Sequence, residues 1–539
     1  VLLFTTLMIS SQLIGQITIS GTISDPDGPL PGASIVVQGS NIGVTSDFNG
    51  NFSIEANEGD VLELSYVGFK TQLIKVDANQ NNISITLESD SQLDEVVVTG
   101  YGAERRSQIT GAVASISPAE MSKNTAATLD NALQGKVAGV SVSANNSTPG
   151  GGVSVRIRGV GGIGNSEPLY VIDGMPITVS GNENSSPLSS INPEDIESIS
   201  ILKDAASAAI YGSRAANGVV LINTKTGKRN QKSEVSVSVK YGVQSAANSF
   251  NMMNAQKFAD YRNLLETDAG RPAIFTNTAS LGEGTDWFDA ITRSAEISDL
   301  QASFTGGSET GSYFLSLGHF KQEGIVESSS FERISLRLNA DKRISDKFKV
   351  GSNIVVSRTK QDVLWGNNRA INSAIAQSVL FYPTIPVYDN EGNFSPTPAN
   401  GFYKPKVNPM FQLSIPAFPP IVNSFRANVY AEYKIMPDLV FKTSAFYTDS
   451  NTSRKEFGSM YNLGTAVSTE QSILKQQTQS YNALIENTLN YRLNIDNHSL
   501  GFLLGQSAQS IERESLLVSG DYTEMGNNTI DELANALNV

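Results

Sequence analysis

The sequence predicts a mainly β protein in three folded parts: a β-sandwich, an α+β unit, and long strands of the kind that build a transmembrane antiparallel barrel. Three observations predict it. Seven short strand-and-turn runs crowd residues 17–87, helical spacing mixes with strands between 105 and 228, and beyond 233 apolar and polar residues alternate over long stretches. At 539 residues the chain needs several cores, three or four if each takes about 150 residues. Its 45 glycines, 40% hydrophobic and 17% charged residues suit many short strands and turns. Lys+Arg 39 against Asp+Glu 53 gives 39 − 53 = −14, the wrong sign for a nucleic-acid partner. With no cysteine and two histidines, His319 and His498, disulfide frameworks, thiolate nucleophiles and Cys/His zinc sites lack their ligands, and no cofactor is expected.

The opening apolar run Val1 to Ser10, before a small-residue zone near Gly15, reads as part of a secretory signal, or as a buried first strand or helix. No later run of 18 or more apolar residues suggests a helical membrane span. ITISGTISD, ASIVVQGS, NFSIEA, VLELSYVG, TQLIKV and NISITL, with the turn DPDGPLPG, predict a small sandwich. Asp25, Asp27 and Gly28 match the start of a calcium loop, but its twelfth position is Val36, so a Pro/Gly turn is expected. After the polar ESDSQL comes DEVVVTGYG, Asp94 to Gly102. Its β-branched run reads either as an unpaired strand that another protein's sheet could add, or as a linker or first strand of the next domain.

In the mixed unit, Leu129, Ala132, Leu133 and Val137 have helical spacing, ended by Gly139. Asn192 and Pro193 suit N-cap and first-turn positions, with Glu194 and Asp195 favourable against the helix dipole. Asp204 caps AASAAIYG, which Gly212 can end. Gly159, Gly161 and Gly164 match a dinucleotide fingerprint, yet Pro168 and a strand follow where the pyrophosphate would need a helix. Gly135 lacks a phosphate loop's Ser/Thr, and HExxH and G-x-S-x-G are absent.

Beyond Ser233, Val235, Val237, Val239, Tyr241 and Val243 share a face opposite Ser236, Ser238, Lys240 and Gly242. Ile334, Leu336 and Leu338 oppose Ser335, Arg337 and Asn339, and similar runs lie around 348–356, 427–433 and 485–493. Membrane strands of roughly 9 to 11 residues and soluble sandwich strands both alternate so. The connections separate them. Tight turns near Asp341 to Asp346, Met436 to Asp438 and Asn494 to Asn497 alternate with long excursions over 360–422 and 450–476, the asymmetry of an outer-membrane barrel. About nine strands are counted, too few to close in lipid, so the barrel is expected to continue beyond Val539.

The order of parts resembles the SusC/RagA family of TonB-linked outer-membrane transporters of Bacteroidetes. The motifs carrying the resemblance are DEVVVTGYG, LQGKVAGVSV (Leu133 to Val142), RIRGVGGIGNSEPLYVIDGMPI (Arg156 to Ile177) and INPEDIESISILKDAASAAIYGSRAANGVVLINTKTG (Ile191 to Gly227). It implies a partial signal (1–16), a carboxypeptidase-regulatory-like sandwich (17–88), a linker with the TonB box (89–102), a plug (103–229) and the first part of a barrel of about 22 strands (230–539). Asp94, Glu95, Val96, Val97, Val98, Thr99, Gly100 and Tyr101 would form the box that pairs with TonB, driven through ExbB and ExbD. A SusD-like surface lipoprotein would be the other protein partner, outer-membrane lipid the surroundings, and an oligosaccharide, alternatively a peptide, the cargo; no catalytic residue is implied. Arg156, Arg158, Asp173 and Asp204 are plug motif candidates. Alternation along VSVRIRG would turn Arg156 and Arg158 to the lumen wall or central loops, or leave them as simple solvated strand-face positions in the plug. Lys240, Arg337, Asn339, Arg426, Glu432 and Arg492 would line the lumen or touch the plug.

Overall fold

A computed structural model describes residues 17–25, 28–38, 40, 42–66, 69, 71–76, 82–87, 96–99, 102–105, 113–116, 127–144, 148–161, 166–177, 188–248, 250–362, 373–399, 402–415, 418–495 and 498–522. The chain forms two compact units, 1–110 and 111–539. The expected signal at 1–16 lies outside the described residues.

In the first unit, β1 (Ile17–Asp25), β2 (Gly28–Pro29), β3 (Ser34–Val37), β4 (Gly43–Thr45), β5 (Asn51–Ala56), β6 (Val61–Ser65), β7 (Gln72–Lys75) and β8 (Asn82–Thr86) make two facing sheets. β1 pairs with β5, β8 and β2; the other sheet runs β4-β3-β6-β7. Alternation along β1 sends Ile19 and Ile23 inward and leaves Thr18, Ser20 and Thr22 outside. Ile19, Ile23, Ile35, Ile54, Leu62 and Leu64 are fully buried in a core of the sandwich's own. The Gly28 amide donates to Asp25 Oδ1 at 2.7 Å, so that motif is a turn. The same unit holds a ribbon, β9 (Val96–Thr99) antiparallel to β10 (Gly102–Arg105).

The second unit opens with the expected α+β part: β11 (Val113–Ile116), β12 (Val140–Ala144), β13 (Val153–Ile157), β14 (Leu169–Ile172), β15 (Met175–Ile177), β16 (Ile196–Leu202) and β17 (Val219–Thr224). Five strands form one sheet, β11-β16-β17-β14-β15, beside the ribbon β12-β13. β14 and β17 are nearly continuous apolar runs, as strands covered on both faces require, while β16 alternates until its buried end Ile199–Leu202. Among the described residues the predicted helix from Leu129 is a single turn, Leu129–Ala132, and Gly139 at φ 78° leads into β12. A strand, β14, is the next element after the GVGGIG segment, of which Gly162 to Gly164 lie outside the described residues.

The rest is one meandering sheet of nine strands, as counted from the sequence: β18 (Glu234–Gln244), β19 (Ala295–Gly307), β20 (Gly311–Glu323), β21 (Ser330–Arg343), β22 (Phe348–Asp362), β23 (Ile421–Met436), β24 (Leu439–Gly458), then a small hairpin of β25 (Tyr461–Leu463) and β26 (Ala466–Ser468), and β27 (Gln471–Ile495) and β28 (His498–Tyr522). The connections are short at one end (308–310, 344–347, 437–438, 496–497) and include long ones at the other (245–294, 363–420). Two expectations are corrected. The strands reach 25 residues rather than roughly 9 to 11, so the sheet stands well beyond any apolar band, and most of the supposed excursion over 450–476 is strand. The loop 245–294, unmarked in the sequence reading, carries the helices Ala255–Asp268 and Trp287–Ile291, capped by Asn254 and Asp286. Among the described residues no helix is long and apolar enough to cross a membrane.

Candidate functional site: the seam between plug and wall

β21 alternates strictly, and its two faces have opposite fates. Ile334, Leu336 and Leu338 are exposed on the outer side, whereas Arg333, Ser335, Arg337 and Asn339 are buried against the α+β unit. Arg337, 1% exposed, reaches three plug groups: Asp195 Oδ2 at 3.3 Å, Asp173 Oδ2 at 3.4 Å and Thr224 Oγ1 at 2.9 Å. The Thr224 hydroxyl donates to Asp173 Oδ2 (2.9 Å) and accepts from Arg337 and from Asn339 Nδ2 (3.0 Å), so its hydrogen-bonding capacity is filled. Asn339 also donates to the Lys225 carbonyl at 2.6 Å.

One turn along β21, Arg333 donates to the carbonyls of Ala127 (2.7 Å) and Ser189 (3.3 Å) and to Asn192 Oδ1, with its guanidinium over the Phe320 ring. Asn192 caps the 3-10 turn Pro193–Asp195 by accepting from the Glu194 amide, as its position predicts. Its own amide donates to Gln301 Oε1, and Gln301 Nε2 donates to Asp195 Oδ1 at 3.0 Å. Lys240 of β18 pairs with Glu194, Arg426 of β23 donates to Ser190 Oγ (2.9 Å), and Gln361 of β22 to the Pro149 carbonyl (3.0 Å). Arg337 thus pairs with Asp173 and Asp195 in the buried part of the seam, and Lys240 with Glu194 at its half-exposed margin, as charges withdrawn from water require. The arrangement fastens the α+β unit against the wall through buried charge-assisted hydrogen bonds.

Of the plug motif candidates, the seam takes in Asp173. Held at φ 49° between β14 and β15, its carboxylate accepts from the Thr224 amide at 2.9 Å as well as from Arg337. Asp204 is an N-cap, accepting from the Ser207 amide at 2.8 Å. Arg156 and Arg158 do not share a strand face: β13 ends at Ile157, and Arg158 turns into a bend at φ 57°. Both side chains are exposed, and the plug's bonds to the wall are made by other residues. Four of the six wall residues named from alternation, Lys240, Arg337, Asn339 and Arg426, reach the plug. Glu432 pairs instead with Lys442 at 3.7 Å, and Arg492 is exposed beside the turn at 437–438. Sequence reasoning missed Arg333 and Gln301. Arg333 lies one period before Ser335 and Arg337 on the same face, so extending the alternation would have found it.

Of the expected TonB box, Asp94, Glu95, Gly100 and Tyr101 lie outside the described residues; Val96 to Thr99 are β9. Of the readings left open for this segment, the unpaired strand is corrected: β9 pairs with β10 from Thr99↔Gly102 to Val96↔Arg105, and among the described residues its other edge has no strand beside it.

Residues 105–219 match the TonB-dependent Receptor Plug Domain and residues 19–98 the CarboxypepD_reg-like domain. TonB-dependent receptor P26 of Formosa agariphila is 37% identical over 534 residues, covering 96% of this chain and 52% of its own. TonB-dependent receptor SusC of Bacteroides thetaiotaomicron is 36% identical over 452 residues, 79% of this chain and 43% of its own. The chain belongs to the SusC/RagA-type TonB-dependent receptors. It spans about half the length of the curated relatives it matches. Among solved structures, the RagAB peptide importer in its open-open state superposes on this receptor with TM-score 0.67 at 26% identity, covering 83% of this chain and 52% of that one. The ferric citrate transporter FecA, at TM-score 0.51 and 15% identity over 79% of this chain and 51% of its own, shows the same fold.

Proposed function

We propose that this receptor takes part in TonB-dependent import of a large nutrient across an outer membrane, with an oligosaccharide as cargo and no covalent chemistry. The observation that carries the reading is the seam, because a separately folded plug held in a wall by side chains alone can be moved without opening the wall's ladder. The outer face of the wall supports a membrane setting. Exposed apolar residues such as Val237, Val239, Leu317, Leu336 and Val356 fill its middle. Aromatic residues flank them, with Phe304, Tyr433, Phe441 and Phe502 toward the short turns and Tyr241, Phe425 and Tyr447 toward the long loops.

In this reading β9 is the handle. Its open backbone edge fits addition of a strand from TonB, with ExbB and ExbD supplying the energy, and the long loops fit a SusD-like surface lipoprotein. The two-component RagAB relative, named as a peptide importer, supports a second reading in which the cargo is a peptide. The test is uptake of labelled oligosaccharide and peptide pools by the host carrying the full-length gene or a deletion of Asp94 to Tyr101, at equal surface expression. Loss of one pool's accumulation with surface binding retained supports import and names the cargo class. Unchanged uptake of both pools, with unchanged growth on natural nutrients, overturns it in favour of a surface binding or adhesion role.

A further inference from the structure

The N-terminal sandwich carries a surface that neither the seam nor the box explains. β1, β5 and β8 lie side by side with Ser20 opposite Ser53, Thr22 opposite Asn51, and Thr22 beside Ser84. Every one of these side chains is on the solvent face, joined by Thr18 and Thr86, so three strands present a platform of short hydroxyl and amide groups. Only Thr22 and Ser84 touch each other, at 3.4 Å; the hydroxyls of Ser20, Thr45 and Ser53 have no intramolecular partner among the described residues. A groove of about 620 Å³ runs over this platform, lined by Ser20, Thr22, Thr45, Asp47, Asn51 and Ser53 among others. At its border the turn 47–50 is fixed by Asp47, whose Oδ1 accepts from the amides of Asn49 (2.9 Å) and Asn51 (2.8 Å). That rigid turn projects Phe48 into solvent, 92% exposed.

The turn sets one aromatic face free in solvent beside the groove, where a flat apolar surface could stack on it. The groove beside it has no cation among its lining residues, so phosphates and carboxylates have no counter-charge there. It offers groups that both donate and accept, spaced at the roughly 4.5–5.5 Å of cross-strand neighbours. A neutral pyranose chain has the complementary chemistry, with apolar C–H faces for the ring and hydroxyls for the Ser, Thr, Asn and Asp groups. The volume falls within the ~300–1,000 Å³ of small-ligand sites. We infer that the sandwich is a saccharide-binding module, with Phe48 as stacking platform and Ser20, Thr22, Asn51 and Ser53 as hydroxyl readers. This deepens the oligosaccharide reading and rests on it: the receptor would hold its cargo at a second station, on the domain that precedes the box.

The test measures binding of maltoheptaose, cellohexaose, xylohexaose and mannohexaose to the detergent-solubilised full-length chain, as wild type, Phe48→Ala, Ser20→Ala/Ser53→Ala, and deleted from Asp94 to Tyr101. All the substituted side chains are exposed, so circular dichroism is expected to stay unchanged. The expected result is one oligosaccharide whose affinity falls roughly tenfold or more in both sandwich variants and is retained in the box deletion. Superimposable isotherms for wild type and both sandwich variants overturn the inference, and if box-dependent oligosaccharide uptake persists the transport reading stands without it. Loss of uptake in Phe48→Ala with unchanged isotherms also overturns it, and makes the ring a protein contact. No saccharide binding together with box-dependent uptake of peptides alone removes both the inference and the oligosaccharide cargo.

Discussion

Replacing Arg337 by alanine is expected to loosen the plug while leaving the wall intact. The guanidinium is the shared partner of Asp195 and Asp173, whose side chains are 3% and 14% exposed, so its removal strands two carboxylates in a nearly dry seam. Breaking a buried pair in this way costs about 3–5 kcal/mol. Asp195 keeps the Gln301 amide and Asp173 keeps the Thr224 amide and hydroxyl, which places the loss near the low end, about 3 kcal/mol. With a urea dependence of about 1–3 kcal/mol per molar, the plug's unfolding midpoint drops by roughly 1–3 M. The assay is conductance of the full-length receptor in a planar bilayer during a urea titration, where plug unfolding opens a channel and the wall persists. A cycle with Asp195→Asn separates the pair from the site, and the double variant is expected to recover part of the loss. A midpoint unchanged in Arg337→Ala, or strictly additive losses in the cycle, would refute the seam as the plug's anchor.

Three further outcomes use the same titration. Tyr170 is fully buried in the plug core with no hydrogen-bond partner for its hydroxyl among the described residues. Burial first, then Asp130 and Glu167, hold its phenol neutral well above the ordinary value near 10. The unfolded chain ionises near pH 10 and the folded one does not, so this contribution to stability is whole below about pH 10 and falls as pH rises past it. Tyr170→Phe is expected to flatten that alkaline loss and to raise stability by about 1 kcal/mol at neutral pH. Gly150→Ala sets a Cβ 2.2 Å from the Phe331 ring at φ +67°, so a plug destabilisation of about 1–3 kcal/mol is expected, with the barrel's heat-dependent gel shift unchanged. Asp204→Ala removes the cap on Ser207 and is expected to lower the midpoint by the equivalent of about 0.5–2 kcal/mol.

The wall was legible because a strand with water or lipid on one side and a plug on the other must alternate, and each residue then states its own face. Val235 to Val243 and Ile334 to Leu338 lie where that rule puts them, as do Arg337, Asn339 and Arg426 on the other side. Strand length was not legible, since beyond the apolar band both faces turn polar and alternation fades, as in Thr452 to Gly458 against Ser472 to Gln477. The loop 245–294 escaped notice because the helix Ala255–Asp268 buries only Ala259 and its first residue, leaving little apolar periodicity to read. Glu194 and Asp195 show a different limit. Local rules correctly gave Asn192 as a cap and explained the acids by the helix dipole, yet the turn is three residues long and the acids serve Lys240, Arg337 and Gln301, partners over a hundred residues away for Asp195. Sequence spacing carries no signal for such pairs. Arg158 shows another: a positive φ ends the strand at Ile157, and Arg156 and Arg158 are both exposed, as the solvated alternative has them.

Among the described residues no strand of the plug joins the ladder of the wall, so the bonds seen to hold the plug there are made by side chains of the wall. What those bonds are made of then matters. A buried ion pair contributes less to stability than matched apolar packing, because desolvation offsets most of the attraction; when water enters, the same charges are hydrated and the cost of separation shrinks. The seam is therefore firm when dry and yielding once wetted, which suits the proposed movement of the plug under a pull. Replacing the central pair by apolar groups of similar reach, Arg337→Met with Asp195→Leu, tests this directly. Plug stability in the urea titration is expected to recover part of the Arg337→Ala loss, since Asp195 no longer leaves a charge unpaired while Asp173 keeps only the Thr224 amide and hydroxyl. Box-dependent uptake is expected to fall, because an apolar seam gains nothing from entering water. A double variant that unfolds its plug earlier yet transports at the wild-type rate would show that the charges serve to hold the plug and have no part in letting it go.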